Sequence, residues 1–172
     1  MNENGDLTRG GRRGFRLGRD EEALSADRLT DPALVEGATA RRIVGYLIDL
    51  VILGAIAIAV HFLVFATLGL LAPLLYPLLV VLPLAYHSLF VASDASATPG
   101  QRVAGVQVRR LDGGRPGLLQ AFVMVALFYL TLTLTSGLLL LWCLFDDRGR
   151  CLHDILSGTL VARTDRLRDA GF

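Results

Sequence analysis

At 172 residues and a formal charge of +1, the chain is sized for one domain, and its charge singles out no partner. Hydrophobic residues make up 53% of it and the mean hydropathy is +0.52. The apolar residues come in blocks rather than alternating, which excludes an ordinary soluble domain and predicts an integral membrane protein whose main partner is the bilayer. No phosphate loop, Ser–His–Asp order or closed metal-ligand set is visible, so neither an enzyme nor a cofactor is expected, and no nucleic-acid partner.

Residues 1–36 read as a flexible, polar, Arg-rich cytoplasmic tail. Within it, Gly10-Gly11-Arg12-Arg13-Gly14 is a loose arm rather than a twin-arginine export signal, because no apolar region follows it closely. Asp31-Pro32 offers a short helix start. The first apolar segment, about residues 43–66, is long enough to cross a core of about 30 Å. It carries an acid, Asp49. Arg42, Gly45, Tyr46 and Asp49 stand at i, i+3, i+4 and i+7 and therefore share one stripe of the helix. A carboxylate at mid-membrane costs about 2.5–3.5 kcal/mol on the insertion scale. Asp49 is thus expected to have a partner, water or a bound cation.

Thr67–Leu70 is short and uncharged and reads as a tight turn. The second apolar segment, about residues 71–92, contains Pro73, Pro77 and Pro83, each lacking a backbone donor, so a kinked helix is expected. His61 and His87 read as rings hydrogen-bonded near opposite ends of this pair of segments rather than as ligands. Residues 93–117 then change character. Thr98-Pro99 is a capped helix start, Val106–Arg109 alternates as a short strand does, and Asp112-Gly113-Gly114 is a turn.

The third apolar block, about residues 118–145, is longer than one untilted span requires, and Thr131–Gly137 within it is suited to bending or unwinding a helix. Thr159–Arg163 is a second short strand able to pair with the first. Eight Arg precede the first segment, four lie in the 93–117 loop and five follow Phe145. The positive-inside rule assigns all three groups to the cytoplasm. Three single spans would put the tail outside, so the last block is expected to be broken or hairpin-like and to return to its own side. The resulting fold class is all-α, with two full-length transmembrane helices, this third segment, a short cytoplasmic β-ribbon, and a polar tail over 165–172.

His153-Asp154 follows a basic turn and opens an amphipathic one. Two arrangements fit the charged residues. In one, Arg42, Asp49 and Asp154 form a single polar cluster able to hold a proton or small cation, with Gly45, Tyr46, Arg102 and His153 in support. In the other, Arg42 anchors at the headgroups, Asp49 is hydrogen-bonded by Tyr or Thr, and Asp154 caps its helix through Ile155. Cys143 and Cys151 read as thiols facing a reducing side. A Cys151-x-His153 pair lacks further clear ligands, so no metal is expected.

Three ordered motifs over about residues 37–164 carry a family resemblance. Arg42, Gly45, Ile48 and Asp49 match Arg-x-x-Ala-x-x-Ile-Asp with Gly for Ala. Thr98-Pro99-Gly100-Gln101-Arg102, Gly105 and Val108 match Thr-Pro-Gly-Lys-Arg-x-x-Gly-x-x-Val with Gln101 for Lys. Leu152, His153, Asp154, Gly158 and Thr159 match Leu-His-Asp-x-x-x-Gly-Thr. The chain thus resembles the RDD family, named for one Arg and two Asp, here Arg42, Asp49 and Asp154. The resemblance implies a small multispanning protein of a bacterial-type inner membrane, with transport suggested and sodium–proton antiport proposed for some members. Transport of a cation or small solute is the first expectation, in a homo-oligomer or beside other membrane proteins; a structural or assembly subunit is the alternative.

Overall fold

The computed structural model describes residues 31–135 and 150–172, with 138, 142, 143 and 146 between them. The assignments made above for residues 1–30, and for most of the stretch from Ser136 to Gly149, lie outside the described residues. Asp31 accepts the Ala33 N–H, and Pro32 then opens a single 3-10 turn, Pro32–Leu34. The long first helix, α1 (Ala38–Ala66), follows, and residues 67–71 turn the chain into α2 (Ala72–Val91). Pro73 sits in the first turn of α2, where its missing donor is harmless, while Pro77 and Pro83 lie inside the helix. Both helices are long and apolar enough to cross a membrane.

After α2 the chain builds a small cap from short elements. Helix α3 (Pro99–Ala104) ends at Gly105, whose φ of 72° is the left-handed conformation that lets the chain turn sharply into β1 (Val106–Arg110). Helix α4 (Leu118–Leu134) is the third apolar element. It stops inside the Thr-rich stretch singled out above, where the Thr131, Thr133 and Thr135 hydroxyls donate to carbonyls three or four residues back. Helix α5 (Leu152–Ser157), β2 (Thr159–Arg163) and α6 (Thr164–Asp169) complete the chain.

Strands β1 and β2 pair antiparallel, Val106 opposite Arg163 and Arg110 opposite Thr159, so the chain after the third apolar block returns to the end from which it left. Alternation gives this ribbon two faces, and both are buried. Val106, Val108 and Val161 pack with Ala38 of α1, Val91 of α2 and Met124 and Val125 of α4, at one end of the helices. Leu160 and Ala162 pack with Leu34, Val35 and Leu167, so the 3-10 turn and α6 cover the outer face. The closing residues, read above as a polar tail, dock through the fully buried Leu167. Away from this cap the helices present apolar side chains outward: Val51, Phe62 and Phe65 are at least 72% exposed.

Candidate functional site

The stripe on α1 is the starting point, because Gly45 and Asp49 are buried in it while the apolar Val44, Leu47 and Leu50 beside them are exposed. Asp49 is 1% exposed. Its Oδ1 accepts the Tyr86 hydroxyl at 2.9 Å and the Gly100 N–H at 2.8 Å, and its Oδ2 accepts the Thr98 hydroxyl at 2.5 Å. Three neutral donors therefore converge on one carboxylate, each from a different kind of group. Thr98 is held for this task by a capping box: its Oγ1 accepts the Gln101 N–H while Gln101 Oε1 accepts the Thr98 N–H. Gln101, standing where the family pattern has Lys, is thus spent on the cap.

Two glycines allow this approach. A Cβ on Gly100 would lie 2.1 Å from the Gly45 carbonyl oxygen and 2.8 Å from the Asp49 carboxyl carbon. Only a glycine fits there. On Gly45 a Cβ would stand 3.1 Å from Gln101 Cα, so the Ala of the family pattern would ask α3 to give by a few tenths of an ångström. Arg102 does not face the acid. Its guanidinium donates to the Ala97 carbonyl and the Ser93 hydroxyl and lies 5.8 Å from the Phe90 ring centre, clasping the loop that leads into α3.

The second acid is held differently. Asp154 is fully buried in the first turn of α5, and its Oδ2 accepts Arg42 Nη2 at 2.5 Å and the Cys151 N–H at 3.0 Å. Asp154 does cap its helix, but through the Cys151 N–H, not through Ile155. Its Oδ1 and the His153 Nδ1 are buried without a hydrogen bond among the described residues. His153 Nε2 lies 3.4 Å from Asp154 Oδ1. Burial lowers the His153 pKa to about 4, against the raising influence of the acid, so the ring is neutral near pH 7 and this contact is not an ion pair. Burial likewise pushes the Cys151 thiol up to about 12. Phe128 packs edge-on to both His153 and Tyr46, with centroids at 5.2 and 5.5 Å.

Both places open on one cavity of about 360 Å³, whose wall includes Arg42, Tyr46, Asp49, His87, Phe128 and His153. The named triplet is therefore divided. Arg42 joins Asp154, Asp49 is satisfied by Tyr86, Thr98 and Gly100, and the cavity connects them. His61 and His87 each direct Nδ1 to the carbonyl four residues back, at 2.7 and 2.9 Å, as the plainer reading expected. Sequence reasoning allowed for Tyr or Thr donors to Asp49 without singling out Tyr86 or Thr98, and it missed the Gly100 N–H. The Thr-Pro-Gly run was the available signal, since a glycine in the first turn of a helix marks a close approach that no helix propensity explains.

Two helices able to span a bilayer and a third apolar helix, gathered at one end under a ribbon and short helices, make up a small membrane protein. The chain belongs to the RDD family, whose profile matches residues 37–158. No curated protein and no solved structure matches it.

Proposed function

We propose that this chain is a transport-related protein of a bacterial-type inner membrane, with its N-terminus and ribbon cap in the cytoplasm and no catalysis of its own. A cation or small solute enters the cavity between the helices and meets Asp49, with Arg42, the partner of Asp154, on the same wall. The observation that carries this reading is a buried carboxylate whose hydrogen-bond donors among the described residues are all neutral, on the wall of a cavity of about 360 Å³. A carboxylate so held keeps its negative charge available to a passing cation, whereas one paired with Arg does not.

The position of Asp49 along α1 supports the same reading. At 1.5 Å per residue, a core of about 30 Å counted back from Ala66 spans about twenty residues. Asp49 then stands near the headgroup boundary, beneath α3, where the desolvation cost is lower than at mid-membrane. The positive-inside rule favours the cytoplasm for the cap, which gathers the Arg of the 93–117 loop together with Arg150, Arg163, Arg166 and Arg168. Three apolar segments are few for a private pathway, so the working unit is a homo-oligomer or a complex with other membrane proteins.

The outward apolar surface of α1 and α2 favours a second reading, a structural subunit that packs beside other membrane proteins. Cation flux into proteoliposomes of the purified protein separates the two. Transport predicts flux that Asp49→Asn abolishes. Flux that survives in Asp49→Asn would remove the carboxylate from the pathway, and no flux for any cation tested would favour the structural subunit.

A further inference from the structure

Where the chain returns to the cap, several groups that bind soft metals meet in one buried place. Cys151, His153 and Asp154 each offer a ligand atom, these atoms lie within 4.8 Å of one another, and all three residues are buried. Cys143, eight residues earlier, lines the same cavity wall and interacts with the Cys151 thiol. Spacing along the chain gave only Cys-x-His; the fold adds a second sulfur and a carboxylate. We propose that Cys143, Cys151, His153 and Asp154 form a four-coordinate site for a thiophilic divalent cation, with zinc as the reference ion.

Four observations support it. His153 Nδ1 and Asp154 Oδ1 are buried with no hydrogen-bond partner among the described residues, so ligand capacity is left over after the local network is made. Asp154 Oδ2 is already fixed by Arg42 and the Cys151 N–H, which orients the remaining oxygen as outer partners orient a metal-binding carboxylate. The charges close: two thiolates and Asp154 carry three negative charges, Arg42 and a divalent ion three positive ones. Binding releases the two thiol protons to solvent. Finally, Cys143, Cys151 and His153 all line the cavity, which supplies an entry path.

The geometry is close to what the ion needs. Bonds of about 2.0–2.3 Å in a tetrahedron set ligand atoms roughly 3.3–3.8 Å apart. The ligand atoms of Cys151, His153 and Asp154, within 4.8 Å of one another, have roughly 1–1.5 Å to close, and Cys143 would move in beside Cys151 as the fourth ligand. Two sulfurs with an imidazole select zinc or a similar soft ion over magnesium and calcium, which prefer all-oxygen shells. The site would pin the segment carrying Cys143 to α5, whether or not the cavity conducts a solute.

The test uses the full chain in detergent, purified with a chelator and a phosphine reductant, and titrated with cobalt(II) alone. We expect one cobalt per chain, with the visible bands of tetrahedral coordination, a sulfur-to-cobalt charge-transfer band, and displacement by stoichiometric zinc. Cys151→Ser should lose the spectrum. Cys143→Ser, at a half-buried position that leaves α5 intact, should bind at least tenfold more weakly and show about half the charge-transfer intensity per bound ion. Absence of the tetrahedral spectrum in a wild-type sample that is folded by circular dichroism would overturn the proposal. So would a spectrum unchanged in both variants, or a Cys143–Cys151 disulfide in place of thiols in the reduced protein.

Discussion

Asp49 and Asp154 are both buried acids at the cap end of the molecule, and they are made tolerable by opposite means. Asp49 sits among neutral donors, a phenol, a hydroxyl and a backbone N–H, which leave its charge uncancelled. Asp154 meets a guanidinium, so its charge is balanced locally and its role is to tie α5 to α1. Removing charge should therefore have different consequences at the two places. At Asp49 an amide can replace the acid with little loss of structure. At Asp154 an amide leaves Arg42 buried with no countercharge from that residue.

The sharpest way to break this contrast is Asp154→Asn. It should destabilise the protein by about 3–4 kcal/mol, nearer the lower end because the Arg42 side chain keeps 15% exposure. Thermal unfolding in detergent measures it. Next comes Gly100→Ala, which drives a methyl into the Gly45 carbonyl and the Asp49 carboxyl group; about 2–3 kcal/mol should be lost in the same assay. Thr98→Ala removes one donor to Asp49 and the cap of α3 together, for about 1–2 kcal/mol. Asp49→Asn should cost about 1 kcal/mol or less, since its amide oxygen can accept Tyr86 and Gly100 while its NH₂ donates to Thr98. A loss as large as that of Asp154→Asn would erase the distinction.

A separate effect concerns pH, in protein stripped of metal. The folded His153 pKa is lowered to about 4 by burial, while an unfolded His titrates near 6.5. Between those values the unfolded chain binds more protons, so stability falls as pH drops from about 6.5 to about 4 and then levels off. His153→Gln should flatten this part of the unfolding-against-pH curve.

Much of the architecture was legible because it follows from local rules. Blocks of apolar residues announced the helices, Thr98-Pro99 announced α3, and Val106–Arg109 and Thr159–Arg163 announced strands that do pair. The division of the charged triplet was not legible. Spacing places Arg42 and Asp49 on one face of α1, but they lie seven residues, about 10 Å, apart along it. Which acid each element reaches depends on how closely α3 approaches α1. That distance is set by Gly100, a residue with no side chain to signal its role. The docking of α6 was hidden for a related reason: one apolar residue, Leu167, among charged neighbours carries no periodicity.

A pair of double-mutant cycles, read by unfolding free energy, tests the division of the two acids most directly. One combines Arg42→Gln with Asp154→Asn, the other Arg42→Gln with Asp49→Asn. The arrangement described here predicts a coupling of about 2 kcal/mol or more in the first and less than about 0.5 kcal/mol in the second. Equal couplings, or a larger one between Arg42 and Asp49, would contradict it and restore a single three-residue cluster.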